Sequence, residues 1–130
     1  MPYLLDTDVV IDYLDRDVQA REVIDPLIQF RVAISMITYL EVFQGVLENP
    51  DPIKAEAEFE TFLERVPILP LSAAVARRCA GLRRDLKRRS RRVRSRVLDL
   101  IIAATALEHD LTLVTRNKAD YDDIPDLDLF

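Results

Sequence analysis

The sequence holds one cysteine, one histidine and two glycines in 130 residues, and each scarcity removes a class of chemistry. A lone Cys79 makes no intramolecular disulfide and no cysteine-based zinc cluster, and reads as a packed helix residue. A lone His109 removes histidine metal clusters and argues against a Ser–His–Asp triad; beside Asp110 at a helix end it reads as solvated. Two glycines leave nothing for a glycine-rich phosphate cradle. The longest apolar run, residues 100–107, is too short to cross a bilayer. Residues 1–6 show neither the basic region nor the apolar stretch of a signal peptide, so a cytoplasmic protein without a membrane partner is expected.

What is present suits one domain over residues 1–130, with 49% apolar and 32% charged residues. The net charge of −5 disfavours nucleic acid only if it is spread evenly, and it is not. Residues 77–96 hold 11 of the 18 basic side chains against Asp85 alone, a local charge of +10. The rest of the chain sets seven basic residues against 22 acidic ones, which is −15.

Short apolar runs alternate with helical periodicity. Tyr3-Leu4-Leu5 reads as a buried strand. Val9, Val10, Tyr13 and Leu14 recur at helical spacing, with Thr7 or Asp8 as the N-cap. Ala20, Val23, Ile24, Leu27 and Ile28 form another helical face, which Pro26 either kinks or divides. Residues 31–34 predict a strand, Ser35 a helix cap, and Ile37, Leu40, Phe43 and Leu47 the inner face of the next helix. Phe59, Phe62, Leu63 and Val66 mark a further helix before a short strand at Ile68 and Leu69. Ser72 caps a helix with Val75, Cys79, Leu82 and Leu86 inward, and residues 87–96 are too charged to bury. Residues 98–107 form a helix apolar all round, residues 111–114 a strand, and residues 127–130 a candidate last strand. The alternation predicts a three-layer α/β/α, Rossmann-like fold, with a parallel sheet of four or five strands flanked by helices.

In such a sheet, ligands sit beyond the carboxyl ends of the strands. The conspicuous polar residues fall there. Asp6 and Asp8 follow the first strand; Ser35, Thr38 and Glu41 follow the second; Asp99 opens the apolar helix; Thr115, Asn117 and Asp120 follow the late strand. Singly, each has an ordinary role. Asp6 suits a turn, Thr38 with Glu41 a capping box, Asp99 an N-cap, and Asp120 an acidic solvated tail. Together they put three or four carboxylates on one cleft, where mutual repulsion favours a bound cation. Oxygen donors without His or Cys select Mg²⁺ or Mn²⁺. Two such ions about 4 Å apart would support hydrolysis of a phosphodiester by water.

These residues resemble a known family. Leu5-Asp6-Thr7-Asp8-Val9-Val10-Ile11-Asp12-Tyr13-Leu14 is similar to the opening of PIN-domain ribonucleases. Ser35-x-x-Thr38-x-x-Glu41 with Gly45 resembles their second motif, Asp99-Leu-Ile-Ile-Ala-Ala-Thr-Ala106 the third, and Leu113-Val-Thr115-Arg-Asn117-x-x-Asp120-Tyr121 the fourth. Order, spacing and coverage from residue 3 to about 121 resemble the VapC toxins of toxin–antitoxin pairs. The resemblance implies an endoribonuclease with Asp6, Glu41 and Asp99 as core metal ligands. Asn117 stands where many relatives have aspartate, so Asp120 is taken as the fourth carboxylate, with Asn117 able to hold water or substrate. Asp8 stands where Asn or Ser is usual and is either an extra ligand or a helix cap. An RNA substrate, a homodimer and a small antitoxin covering the acidic cleft are also implied.

The basic segment contains no aromatic residue, so base stacking is not encoded there and phosphate contact is the functional reading. Arg88, Arg89, Arg91 and Arg92 are its candidate contacts. Three alternatives compete. Leu4-Leu5-Asp6-Thr7-Asp8 also fits a haloacid dehalogenase-type phosphatase with Asp6 as nucleophile, Ser35 at a strand end and Asp122-Asp123 as metal acids; it leaves Glu41 and Asp99 without a role. A receiver-like signalling domain would need an aspartate in Pro67-Ile68-Leu69-Pro70, which has none. A catalytically inactive PIN-like binding module is the third.

Overall fold

A computed structural model describes residues 2–89 and 93–130. Strand β1 (Tyr3–Leu5) runs straight into α1 (Thr7–Leu14), followed by α2 (Val18–Ile28), β2 (Val32–Ser35), α3 (Met36–Leu47) and α4 (Pro52–Leu63). Then come β3 (Ile68–Leu69), α5 (Ala73–Arg88), α6 (Val97–Glu108) and β4 (Thr112–Val114). The four strands form one parallel sheet in the order β3-β2-β1-β4. Leu4 lies between Ala33 and Leu113 in register. The chain therefore winds outward one way through β2 and β3, then returns past β1 to β4. That reversal puts the topological switch point between β1 and β4, where parallel sheets open a crevice.

Side chains on a strand alternate between faces, and the alternation sorts the core into two layers. Leu4, Ala33 and Leu113 face Val75, Cys79 and Leu86 of α5 and the buried side of α6. Leu5, Val32, Ile34 and Val114 face α1–α4, against Val9, Val10, Ile24, Val42, Phe59 and Phe62. Helix α6 is the most deeply enclosed, with Leu100, Ile102, Ala103, Ala104 and Ala106 fully buried. Its alanines let it sit close between α5 and the sheet. Its Thr105 hydroxyl, buried with them, donates to the Ile101 carbonyl one turn back at 2.8 Å.

The expected three-layer fold is present, with local differences. Asp6, rather than Thr7 or Asp8, caps α1: its extended backbone ends β1 and its carboxylate accepts from the Thr7 amide at 2.8 Å. Asp6 is the single residue between β1 and α1, so it both leaves the strand and caps the helix. Pro26 is carried inside one continuous α2. In α3 the buried residues are Ile37, Thr38, Val42 and Val46, whereas Leu40 and Leu47 are 53% and 68% exposed. Thr38 turns inward toward the site, and this rotates the apolar stripe away from its expected register. Residues 127–130 add only a single parallel bridge between Leu113 and Leu129, plus hydrogen bonds flanking it.

Candidate active site

The carboxyl ends of β1, β2 and β4 and the start of α6 gather the polar residues. Asp6 is 6% exposed and is held from three directions. Its Oδ1 accepts from the Thr7 amide at 2.8 Å and the Tyr121 hydroxyl at 3.2 Å, and its Oδ2 from the Thr115 hydroxyl at 2.8 Å. The Tyr121 hydroxyl also reaches Asp99 Oδ1 at 3.4 Å, so one buried phenol bridges two carboxylates. Glu41 Oε1 accepts from the Thr7 hydroxyl at 2.7 Å, and that hydroxyl lies 3.0 Å from Thr38 Oγ1. Ser35 caps α3 through the Thr38 amide at 3.1 Å, and its hydroxyl lies 3.3 Å from Thr38 Oγ1. Asp8 Oδ2 accepts from the Asn117 side-chain amide at 2.7 Å, and the Asn117 backbone amide donates to Thr115 at 3.0 Å. A continuous hydroxyl and amide network thus joins Ser35, Thr38, Thr7, Glu41, Asp6, Thr115, Asn117 and Asp8.

None of these donors is positively charged, and the titration of the site shows the consequence. Burial, then the charge of Asp8, raises the Asp6 carboxyl to about 6 despite its hydrogen bonds from Thr115, Thr7 and Tyr121. Asp8 is also raised, chiefly by burial. Asp99 is raised by burial and then by the charges of Asp6, Asp120 and Glu41. Tyr121 is pushed up by its own burial and by Asp6 and Asp99, so it is a hydrogen-bond donor throughout the physiological range. Five carboxylates, Asp6, Asp8, Glu41, Asp99 and Asp120, are therefore linked by their charges, although among the described residues no three stand at ion-holding distance. Hydroxyl groups bond Asp6 and Glu41, and amides bond Asp6 and Asp8, instead.

Several local readings change here. Asp99 lies in the first turn of α6 and does not cap it; the capping position is Arg96. Glu41 is not the far end of a capping box with Thr38, because α3 begins at Met36 under the Ser35 cap. Asp120 is exposed on a 3₁₀ turn, Lys118–Asp120, and its charge reaches Asp99, whereas Asn117 turns to Asp8. Asp123, required as a metal acid by the phosphatase alternative, is instead clasped by the Arg96 guanidinium through two 2.8 Å hydrogen bonds.

The basic segment also divides. Residues 87 and 88 extend α5, Arg89 follows exposed, and Arg94–Arg96 forms a 3₁₀ turn whose last residue is packed rather than solvated. Arg91 and Arg92 lie outside the described residues. Sequence reasoning left Tyr121 without a role and weighed Thr7 only as a cap. A signal existed for Tyr121: an aromatic and an isoleucine three residues apart inside an acidic tail, both buried in the structure.

The sequence matches the family model of the PIN domain over residues 3–127. It is 28% identical to the tRNA(fMet)-specific endonuclease VapC of Shigella flexneri, covering 94% of this chain and 91% of that one. It is 30% identical to Ribonuclease VapC2 of Rickettsia felis over 74% of this chain and 70% of that one. Among solved structures, the VapBC2 complex of Rickettsia felis bound to a promoter DNA fragment superposes with a TM-score of 0.88 at 26% identity. That superposition covers 100% of this chain and 98% of the other.

Proposed function

The chain belongs to the PIN domain family, and from that premise we propose that it is a divalent-metal-dependent endoribonuclease, the toxin of a toxin–antitoxin pair. One observation carries the reading: Asp6, Asp8 and Asp99 are buried or half-buried together, with only neutral donors, and all three are driven toward the protonated form. Such a cluster costs stability unless a cation is its partner. The donor chemistry suits one, although the described acids would have to draw closer together to hold it. The donors are all oxygen, which suits Mg²⁺ or Mn²⁺ over softer ions.

Asp6, Glu41 and Asp99 would hold the cation, with Asp120 completing the set and Asp8 beside it. A cation held there would supply polarisation of the phosphodiester and a lowered pKa for the attacking water. The protein's own residues fix the frame. Thr115 and the Thr7 amide lock the Asp6 carboxylate, Thr7 locks Glu41, and Ser35 and Thr38 lock Thr7. Asn117 holds Asp8 and keeps an oxygen available for water or substrate. Water would attack phosphorus as the P–O bond to a ribose oxygen breaks, the water's proton passing to solvent and the leaving oxygen taking one up, with no covalent bond to the protein. Arg88 and Arg89, at the end of α5 nearest this site, would meet the RNA backbone.

The partner follows from charge and from the relatives. A similar structure from Klebsiella pneumoniae is a toxin–antitoxin complex, and the −15 outside the basic segment suits a small antitoxin carrying a basic side chain. A homodimer in the cytoplasm completes the proposal; among the described residues no helix is long and apolar enough to cross a membrane. The test incubates wild type and Asp6→Asn with mixed cellular RNA in Mn²⁺ or in EDTA. Cleavage is expected from wild type in Mn²⁺ alone. Cleavage that survives EDTA or the substitution overturns the mechanism.

A further inference from the structure

We propose that Arg96 is a positioning residue of the carboxylate site. By clamping the turn of residues 118–124 to the start of α6, it sets the Tyr121 hydroxyl between Asp6 and Asp99. The inference rests on the reading of that site as a metal-dependent nuclease centre.

Arg96 differs from its basic neighbours. Arg88 and Arg89 are exposed, whereas the Arg96 side chain is 18% exposed and its partner Asp123 12%. Both terminal nitrogens of Arg96 bond the Asp123 carboxylate at 2.8 Å, and Nη2 also donates to the Asp120 carbonyl at 2.9 Å. Arg89 adds a strap to the Asp123 carbonyl at 3.2 Å. Three bonds from one guanidinium thus tie down a turn whose backbone hydrogen bonds span three residues each, among them Asp120 to Asn117 at 2.9 Å, Tyr121 to Lys118 at 3.0 Å and Ile124 to Tyr121 at 3.2 Å. A short 3₁₀ turn of this kind holds its shape poorly without outside contacts.

The position of the clamp matters. Arg96 stands three residues before Asp99 and bonds the residues on both sides of Tyr121. Tyr121 reaches Asp6 and Asp99 at 3.2 and 3.4 Å, near the limit of hydrogen bonding, so a small shift of the turn breaks both contacts. Tyr121 is 2% exposed, and its ring and Ile124 are set in the core beside α6. The core fixes the ring's depth, and the clamp fixes its height above the two carboxylates. A lysine at position 96 offers one point charge and reproduces only part of the fork.

The experiment compares Arg96→Gln, Arg96→Lys and Asp123→Asn with wild type. Arg78→Gln, whose ion pair with Glu108 lies at the far end of α5, is the control. Three quantities are read: amide hydrogen exchange of residues 118–124, Mn²⁺ affinity by EPR titration, and kcat and KM on RNA. Arg96→Gln and Asp123→Asn should speed exchange in 118–124 by about tenfold or more, the scale set by removing a charged hydrogen bond. Mn²⁺ affinity should weaken several-fold, and kcat should fall while KM holds. Arg96→Lys should recover part of each, and Arg78→Gln should match wild type. Wild-type exchange and Mn²⁺ affinity in Arg96→Gln, with the loss confined to KM and its salt dependence, would make Arg96 a phosphate contact and overturn the proposal. If Arg96→Gln does not fold, Asp123→Asn decides by the same readouts. If no protein cleaves RNA, the endoribonuclease reading fails, while exchange and Mn²⁺ affinity still judge the clamp.

Discussion

Thr115 and Arg116 are consecutive residues, yet they serve two acidic groups of opposite character. The Arg116 guanidinium bonds Asp12 at 2.6 Å and Asp17 at 3.0 Å, with Gln19 at 3.2 Å, so those surface carboxylates have a cation beside them. Thr115 offers Asp6 only a hydroxyl, and behind Asp6 stand Asp8 and Asp99 with Asn117 and Tyr121 as their side-chain donors. One group is neutralised by the fold and is structural. The other is left unbalanced in a more buried place, where balancing it would have been worth more. Among the described residues, Asp6, Asp8 and Asp99 are hydrogen-bonded only by neutral groups, which leaves their charge open to a ligand cation.

Four changes would break or sharpen this contrast. The largest effect is expected at the unbalanced group. Asp99→Asn should lower RNA cleavage by roughly a thousandfold or more, the several kcal/mol that a bound cation contributes to a developing charge. A gel assay in Mn²⁺ checks it, and cleavage within about tenfold of wild type would remove Asp99 from the site.

The second effect is on stability without metal. Asp6 ionises near 3.8 when unfolded and at about 6 when folded. Below 3.8 both states are protonated; between 3.8 and 6 only the folded chain keeps the proton. Stability therefore falls as pH rises through that window and levels off above it, by up to about 3 kcal/mol. Burial sets the direction at Asp8 and Asp99 as well, so they add slope of the same sign. Urea unfolding in EDTA from about pH 4 to 7 should show this decline, and Asp6→Asn should flatten much of it. A stability that rises across the window would contradict the repulsion argument.

A smaller effect is expected from the exposed arginines of the basic segment. Arg88→Gln with Arg89→Gln should reduce the slope of log affinity against log salt by about 0.7 for every phosphate these arginines neutralise. The measurement uses single-stranded RNA and the inactive Asp6→Asn background. An unchanged slope would leave Arg88 as solvated surface and Arg89 only as a strap to the Asp123 carbonyl. The smallest effect belongs to the balanced group. Arg116→Gln removes surface ion pairs, so it should cost only a marginal drop in melting temperature and leave cleavage intact. A large loss of cleavage would mean that the two acidic groups are not independent.

Much of this was legible in the chain because it depends on local rules. The alternation of Leu4 and Leu5 between two cores, the Ser35 and Ser72 caps and the all-round apolar character of α6 follow from period, cap chemistry and composition. So does the placement of Asp6 directly after β1, Glu41 on the helix that follows β2, and Asp99 in the first turn of α6. The errors fall where a distant residue decides. Leu40 and Leu47 are exposed, while Thr38, hydrogen-bonded to Thr7 31 residues away, is buried on the inward face of α3. Asp6 took the cap expected of its neighbours because one residue joins β1 to α1. Arg96 looks like one more solvated cation until Asp123 is folded against it.

By itself, the sequence determined the parallel three-layer fold, the oxygen-only donor set and the uneven spread of charge, since periodicity, residue type and count are properties of the chain. Only the tertiary structure decided which acids are balanced and which are not. It gave Arg116 to Asp12 and Asp17, Arg96 to Asp123, and the Tyr121 hydroxyl to Asp6 and Asp99. Pairings of that kind join residues up to 115 positions apart, and a carboxylate's charge state depends on burial and on neighbours that local sequence does not encode.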